Sequence, residues 1–347
     1  MPISIYNYSK SKIPFLLELD SYLKNNFENN NYYYDSDWEC GPNTMIVFDD
    51  NGIEEKFIDR VQYFSQTYFQ EHQLSEEYID EKKMKYKAVQ KILSQLELRN
   101  KKGQIKLNKQ GEVILRAKKN GVYNSDYHEN MFLKYRILLN PLHIEILSIY
   151  NDLDDILRDS LFLEMFKHIA SLYAHGEKFG YLSFLSHSQG FFSRMKNEKD
   201  IHTTNVNFER LRVEKFENVN SDLPFEVKKL LNKWKRVWSK IAEEMTESFN
   251  YANYDKNARI SLEKQLQILD SNISKLNNSF HNSLREFQSQ TQFLNRSEVL
   301  IYRDIVNLFY LTLPIFEQSM LKKQFFAYST VRYFEKKYGR NEELTFD

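Results

Sequence analysis

Residues 32–48 read YYYDSDWECGPNTMIVF, which places two apolar or aromatic runs on either side of a turn-forming segment. The first run is YYY at 32–34, the second is TMIVF at 44–48, and a Gly-Pro-Asn sequence lies between them. Aromatic and β-branched residues favour strands, while Gly, Pro, Asn and Asp favour turns. The stretch therefore predicts two neighbouring antiparallel strands joined by a turn.

The flanking sequence predicts further elements of the same kind. Residues 2–8 (PISIYNY) alternate in the manner of a strand, and residues 12–26 carry apolar side chains at helical spacing behind a proline. Two amphipathic helices are predicted over 53–68 and 78–96, and both are expected to cover the sheet. The N-terminal part is therefore predicted to be α+β.

Residues 99–123 predict a basic β-hairpin that turns at Gln110-Gly111. From 99 to 119 there are eight basic residues and one acidic residue, a net charge of +7. One interpretation is a solvated hairpin. The other is a docking surface for an acidic peptide, in which a strand edge supplies backbone hydrogen bonds and the cations steer the partner. The candidate residues for the second interpretation are Lys101, Lys102, Lys106, Lys109 and Arg116.

Beyond about residue 140 the pattern is mostly helical. Patterned stretches lie near 142–174, 222–249, 256–286 and 296–338, with loops expected at 175–182 and 197–207. No sequence feature marks a domain boundary. We therefore predict a single α+β domain over 1–347, with a mostly antiparallel sheet and a large helical portion.

Composition excludes several classes of function. The 48 Lys and Arg balance the 48 Asp and Glu, which removes a global electrostatic argument for nucleic acid. No apolar run approaches the roughly 20 residues that span a bilayer, so no membrane association is expected. The single cysteine, Cys40, cannot form an internal disulfide and suits a reducing compartment. A cytoplasmic location is the expectation.

The standard signatures of cofactor and metal enzymes are missing. The chain contains no GxxxxGK[ST], no GxGxxG and no GxSxG, and its eight histidines include no HExxH. We therefore expect neither a nucleotide cofactor nor a metal.

Three local constellations remain as candidate sites. The turn carries Asp37, Trp38 and Glu39, for which a purely structural turn is the alternative. DYHEN at 126–130 brings together Tyr127, His128 and a carboxylate; in an extended segment, alternate residues would share one face. These groups can move protons near neutral pH.

The third constellation is GYLSFLSHSQGFF at 180–192. It places Ser183, Ser186 and His187 at helical spacing, which suits a cavity wall as well as ordinary packing.

GYLSFLSHSQGFF resembles the G-Y-x-S-x-x-S-H-x-x-G/A-F segment of thiopeptide-type bacteriocin biosynthesis proteins, the family that includes the C-terminal domain of lantibiotic dehydratases. The order of other features agrees. YYYDSDWECGPNTMIVF looks like the family's aromatic strand, Gly-Pro turn and apolar strand, and DYHEN looks like its Tyr-x-x-Glu type segment. The resemblance implies an α+β fold like that of the lantibiotic dehydratase C-terminal domain.

The resemblance favours one branch of the family. Members that eliminate glutamate typically carry arginines around the Gly-Pro turn and after the Tyr-Glu segment, and a C-terminal His-x-x-x-Asn-Arg-like motif. Here the turn reads DWECGPN, and LTLPIFEQSMLKKQFFAYSTVRYFEKKYG near the C-terminus contains no histidine. The chain is more similar to the pyridine-forming enzymes, which join two dehydroalanines of a modified peptide in a formal aza-Diels-Alder cycloaddition and close a macrocycle with loss of water and leader peptide.

On this resemblance we expect a macrocyclising enzyme that acts on a modified precursor peptide with an acidic leader, alongside other enzymes of the pathway. Tyr127, His128 and His187 are the candidate proton donors or acceptors, and Ser183 and Ser186 would orient substrate amides. The turn's Asp37, Trp38 and Glu39 would also contact substrate. Two alternatives stay open: a stand-alone glutamate eliminase that makes dehydroalanine from glutamylated Ser or Thr, and a non-catalytic protein that binds the precursor.

Overall fold

A computed structural model describes residues 2–27, 31–37, 40–49, 55–96, 106–116, 126–193, 195, 198–217, 223–250 and 279–339. The chain divides into two compact units. Unit 1 consists of Met1–Val122, Met131–Asn151 and Thr312–Gln318, and unit 2 consists of Tyr123–Asn130, Asp152–Leu311 and Ser319–Asp347.

Unit 1 contains an antiparallel sheet, as the sequence predicts. Its strands are β1 (Pro2–Tyr6), β2 (Tyr32–Asp35), β3 (Asn43–Phe48) and β4 (Val113–Leu115). Their order in the sheet is β2-β3-β1-β4, and every neighbouring pair is antiparallel. The two strands of the 32–48 stretch pair directly, with Tyr34 opposite Ile46. The α+β fold class is confirmed.

The turn between β2 and β3 is held by a close approach of its backbone to β1. Cys40 and Gly41 both have positive φ, at 61° and 129°. A Cβ added at Gly41 would lie 2.7 Å from the Tyr8 hydroxyl, so only glycine fits there. This requirement explains the glycine of the Gly-Pro sequence.

Three helices of unit 1 follow the predicted periodicity. They are α1 (Ile13–Asn26), α2 (Glu55–Glu71) and α3 (Glu76–Leu96). Phe15 of α1 stacks on Phe69 of α2 with ring centroids 5.1 Å apart. The Ser65 hydroxyl of α2 donates to the Gly111 carbonyl at 2.9 Å, which ties the turn before β4 to the helix layer.

The remaining elements are helical. They are α4 (Asp126–Tyr150), α5 (Asp155–Ser171), α6 (Glu177–Phe192), α7 (Glu198–Arg212) with a π-helical turn (Val213–Glu217), α8 (Phe225–Glu247), α9 (Ser279–Thr291), α10 (Ser297–Thr312) and α11 (Met320–Tyr338), with short 3-10 turns at Phe293–Asn295 and Leu313–Phe316.

The core of unit 2 is largely aromatic. Phe166 of α5 contacts Phe309 of α10 and Phe326 of α11, with centroid distances of 4.8 and 5.7 Å. Trp234 and Trp238 of α8 are both fully buried and complete this cluster. Many of the chain's aromatic residues are therefore accounted for by packing alone.

The structure differs from three local expectations. Residues 106–112 form a loop and turn, so the described part of the predicted hairpin contains one strand, β4, which pairs with β1. The loops predicted at 175–182 and 197–207 are wrong, because α6 begins at Glu177 and α7 at Glu198. Gly176, which has a φ of 77°, suggested a loop in the first segment, and the polar composition of 197–207 suggested one in the second. The patterned stretch at 256–278 lies outside the described residues.

Among the described residues, one stretch, Ser297–Phe316, is long and apolar enough to cross a membrane by length and composition, so the expectation that no apolar run approaches this length is wrong. However, 72% of the stretch is buried inside the protein. Burial of this kind is the pattern of a core helix in a soluble protein.

Candidate functional site

The DYHEN segment is helical, not extended, because α4 begins at Asp126. The Tyr127 hydroxyl donates to the Ser248 carbonyl at 3.3 Å, and the Tyr127 and His128 rings meet edge to face at 5.8 Å. His128 is buried, with its Nε2 atom 3.2 Å from the Oδ2 atom of Asp304 on α10. A buried imidazole beside a carboxylate is an arrangement suited to accepting or passing on a proton.

The GYLSFLSHSQGFF segment lies in α6, which confirms the helical spacing predicted for Ser183, Ser186 and His187, and Gly180 has a packing role. A Cβ at Gly180 would lie 2.0 Å from the Ala170 carbonyl oxygen, so glycine permits α6 to approach α5 closely. The Gly180 carbonyl also accepts a hydrogen bond of 2.8 Å from the Tyr302 hydroxyl. Gly180 therefore sets the distance between α6 and α5, and this distance determines where Ser183, Ser186 and His187 lie.

His187 packs against Tyr310 of α10, with ring centroids 4.7 Å apart and the rings nearly perpendicular. The Lys323 ammonium of α11 lies over the Tyr310 ring, 4.6 Å from its centroid. The Tyr310 hydroxyl is buried and has no hydrogen-bond partner in the described part of the chain. Burial, and then the nearby Tyr302, raise the pKa of Tyr310 well above its usual value, so the phenol stays protonated at neutral pH.

Helix α10 connects these two clusters within unit 2. Asp304 and Tyr310 are separated by about 9 Å of helix rise. The structure thus places the predicted residues Tyr127, His128, Ser183, Ser186 and His187 in one unit, with Ser183 and Ser186 half-buried on α6.

Sequence reasoning missed Asp304, Tyr310 and Lys323. A signal was present only for Asp304, because Asp304 and its neighbour Arg303 place two charges in the mostly apolar stretch LIYRDIVNLFYL. A carboxylate on the buried side of such a helix requires a partner, and here the partner includes His128.

A surface groove of about 430 Å³ lies between the C-terminal ends of α5 and α8. Its lining includes Ser171, Ala242, Glu243 and Glu247. None of the predicted site residues that the structure describes lines this groove. A second groove of about 440 Å³ is lined by Glu209, Arg212, Arg332, Glu335 and Lys336, none of them a predicted site residue.

Asp37 belongs to unit 1, where three cations from separate parts of the sequence contact residues 35–37 at the end of β2. The Asp37 carboxylate lies 3.5 Å from the Arg116 guanidinium. The Asp35 carboxylate lies 3.0 Å from the Arg136 guanidinium. The Lys12 ammonium bonds to the Ser36 hydroxyl at 2.6 Å, and burial lowers the pKa of Lys12. The turn lacks arginines of its own, but the fold supplies them.

The other predicted unit 1 residues are only partly described. Trp38, Glu39, Lys101 and Lys102 lie outside the described residues. Lys106 and Lys109 are exposed, as a docking surface requires, whereas Arg116 is mostly buried beside Asp37.

In the described part of the chain, no group of three or more His, Cys, Asp or Glu side chains is arranged to hold a metal ion.

The fold is similar to that of two solved structures, one of which is a pyridine synthase. A pyridine synthase from thiomuracin biosynthesis, TbtD, superposes with a TM-score of 0.63 at 12% identity, over 97% of this chain and 98% of that one. TsrL superposes with a TM-score of 0.60 at 13% identity, over 99% of this chain and 96% of the other. No protein-family model matches the sequence, and a sequence search of curated proteins finds no match. The fold that the sequence resemblance implied is confirmed.

Proposed function

We propose that this protein is a thiopeptide biosynthesis enzyme that forms a pyridine ring and a macrocycle from a leader-bearing precursor peptide. The observation that carries the proposal is the match to a pyridine synthase along 97% of the chain, with no large part of either chain left over. Identity is only 12%, so the reaction itself is argued from this chain's own residues.

The proposed reaction begins when an amide next to one dehydroalanine tautomerises to present an azadiene. Cycloaddition to the alkene of a second dehydroalanine forms two bonds and closes the macrocycle. Loss of water and then of the leader, released as an amide, makes the ring aromatic. Holding two ends of one flexible peptide together supplies on the order of 7 kcal/mol through restricted motion, so positioning provides much of the catalysis.

The remaining task is proton transfer, and the two clusters on α10 suit it. His128, oriented by the Asp304 carboxylate at 3.2 Å, takes the amide proton during tautomerisation. The Tyr310 phenol, which burial keeps protonated, donates to a substrate oxygen and assists the departure of water. His187 fixes the Tyr310 ring by edge-to-face packing, while Ser183 and Ser186 orient substrate amides.

The proposal includes the remaining expectations from the sequence. Tyr127, whose ring meets that of His128 edge to face, donates or accepts a proton beside it. The exposed Lys106 and Lys109 attract an acidic leader, and the protein works in the cytoplasm with other enzymes of the pathway.

The test is the mass of the product. Purified protein is incubated with a synthetic precursor that carries a leader and two dehydroalanines, and the reaction is followed by mass spectrometry. A macrocycle lighter than the precursor by the leader amide and one water supports the proposal. An unchanged precursor refutes it, and formation of dehydroalanine from a glutamylated serine precursor would identify an eliminase instead.

Two variants test the roles proposed for the His128–Asp304 and His187–Tyr310 pairs. Tyr310→Phe removes only the buried hydroxyl, and Asp304→Asn keeps the shape of the side chain that faces His128. Each should lower the rate of product formation at least about tenfold, as is usual for loss of one proton-transfer group. The controls are Tyr63→Phe and Asp80→Asn, at exposed sites in unit 1, which should keep the wild-type rate. Wild-type rates in both site variants would refute the assignment of residues.

A further inference from the structure

A lysine lies against Tyr310, the residue proposed to donate a proton. The Lys323 ammonium of α11 is 4.6 Å from the centroid of the Tyr310 ring and lies over its face. His187 of α6 meets the same ring nearly at right angles, with centroids 4.7 Å apart. Tyr310 and Lys323 are both half-buried. The Tyr310 ring is therefore in contact with a cation from one helix and an imidazole from another.

The other rings that the structure describes around Tyr310 are uncharged. Phe166 of α5 and Phe184 of α6 each have a ring centroid 6.1 Å from that of Tyr310. Tyr302, on the same helix as Tyr310, is a neutral phenol because burial raises its pKa well above the usual value. The Tyr310 hydroxyl is buried and has no hydrogen-bond partner among the described residues. Lys323 is thus placed to stabilise a negative charge on Tyr310.

Proton donation would leave such a charge for a moment. In the proposed loss of water, the O–H proton of Tyr310 moves to the hydroxyl on the new ring. The C–O bond breaks, and its electron pair leaves with the water. The Tyr310 phenolate then takes back a proton that the ring loses as it becomes aromatic. Between these two transfers the phenolate carries a full negative charge, whose attraction to a nearby cation is much stronger in a buried site than in bulk water.

We propose that Lys323 is a positioning residue for this step: its ammonium, held over the Tyr310 ring, stabilises the phenolate until the proton returns. A cation attracts the face of a neutral ring weakly, whereas it attracts a phenolate as it would any anion. Lys323 therefore acts on proton transfer more than on folding or on peptide binding. The inference rests on the proposed function, because that proposal makes Tyr310 the proton donor.

The first measurement needs no substrate. Tyr310 is replaced in the full-length protein by a fluorinated tyrosine, whose phenol ionises at lower pH than that of tyrosine, and fluorine NMR follows its titration. Lys323→Met removes the charge and should raise the pKa of this phenol by about 1 or more, whereas Lys323→Arg keeps a cation and should return it most of the way. An unchanged pKa in Lys323→Met would overturn the proposal.

The control for this titration is Lys178→Met. Lys178 is exposed on α6, and its ammonium lies 6.0 Å from the Phe179 ring centroid, so the variant removes a cation from a ring elsewhere in unit 2. The pKa of the fluorinated phenol should not change in this variant. Lys323→Gln is a second neutral variant, which keeps the test decisive if Lys323→Met fails to fold.

The second measurement is the rate of product formation. Lys323→Met should lower kcat about three- to tenfold and leave KM within about twofold, because a weaker acid donates its proton more slowly while the peptide binds as before. In a Tyr310→Phe background the same substitution should cause no further loss, since Lys323 acts through the Tyr310 hydroxyl. An equal loss in both backgrounds would show a merely structural role and overturn the proposal.

The two proposals fail separately. Absence of product from the wild-type chain would refute the proposed reaction, and the titration would still decide whether Lys323 stabilises the phenolate. Normal product formation by the wild-type chain, combined with equal titration curves for wild type and Lys323→Met, would refute the role of Lys323 alone.

Discussion

Gly180→Ala tests whether α5 and α6 meet as closely as the site requires. The added Cβ would lie 2.0 Å from the Ala170 carbonyl oxygen and 3.0 Å from Cβ of Tyr173. Both contacts are inside ordinary van der Waals range, and the first involves backbone, which cannot rotate away. The helices must therefore separate by about 1 Å or more, which in a close-packed core costs about 1–3 kcal/mol.

Two other effects modify that figure. Separation weakens the 2.8 Å hydrogen bond from the Tyr302 hydroxyl to the Gly180 carbonyl, worth about 1 kcal/mol. Alanine is a better helix former than glycine by about 1 kcal/mol, which acts in the opposite direction. The two nearly cancel, so the expected net loss in the free energy of unfolding is about 1–3 kcal/mol.

The measurement is urea unfolding of Gly180→Ala and of a control, Ser186→Ala, which adds no atom to the same helix. The control should stay within about 0.5 kcal/mol of wild type. A Gly180→Ala protein as stable as wild type, or more stable, would show that α6 does not approach α5 as described. The positions given for Ser183 and His187 would then be wrong as well.

Three further predictions concern other parts of the chain. Gly41→Ala should lower the free energy of unfolding by about 1–3 kcal/mol, because alanine is strained at a φ of 129° and its Cβ would meet the Tyr8 hydroxyl; an unchanged urea midpoint would contradict the turn geometry. Arg136→Met should cost about 3 kcal/mol or more, since it leaves the Asp35 carboxylate without its 3.0 Å partner, and Asp35→Asn in the same background should recover part of the loss. Burial lowers the pKa of His143 to about 3 and that of His168 to about 4, whereas both are about 6.5 in an unfolded chain. Between the folded and unfolded pKa values the unfolded state binds more protons, so the free energy of unfolding falls as the pH falls. From pH 7 to pH 5 each histidine should cost about 2 kcal/mol, and His143→Gln should reduce the slope of unfolding free energy against pH by about one proton; an unchanged slope would refute the burial of His143.

Much of the sheet could be predicted from local sequence because its strands carry local signals. YYY and TMIVF have strong strand preferences, and the Gly-Pro turn between them fixes their antiparallel pairing. β4 was harder to predict, because the alternation on both sides of Gly111 suggests two paired strands. Within the described residues β4 pairs with β1, more than a hundred residues away in sequence, and local periodicity contains no information about such a pairing.

The candidate site shows the same division. The helix that carries Ser183, Ser186 and His187 follows from spacing and from the family resemblance. Asp304 and Tyr310 become candidates only when the fold brings α10 beside α4 and α6, because their chemistry depends on what they face. DYHEN gave no sign of its helical state, since a short polar segment lacks the apolar repeat that identifies a helix.

The most direct measurement of the central claim is the stoichiometry of release. A time course of wild-type protein with the doubly dehydrated, leader-bearing precursor is quenched, and the freed leader amide and the pyridine macrocycle are quantified together by mass spectrometry. The proposed reaction predicts that both accumulate in a 1:1 ratio from the first time point. Leader release without a ring, or precursor that persists intact while bound, would contradict it.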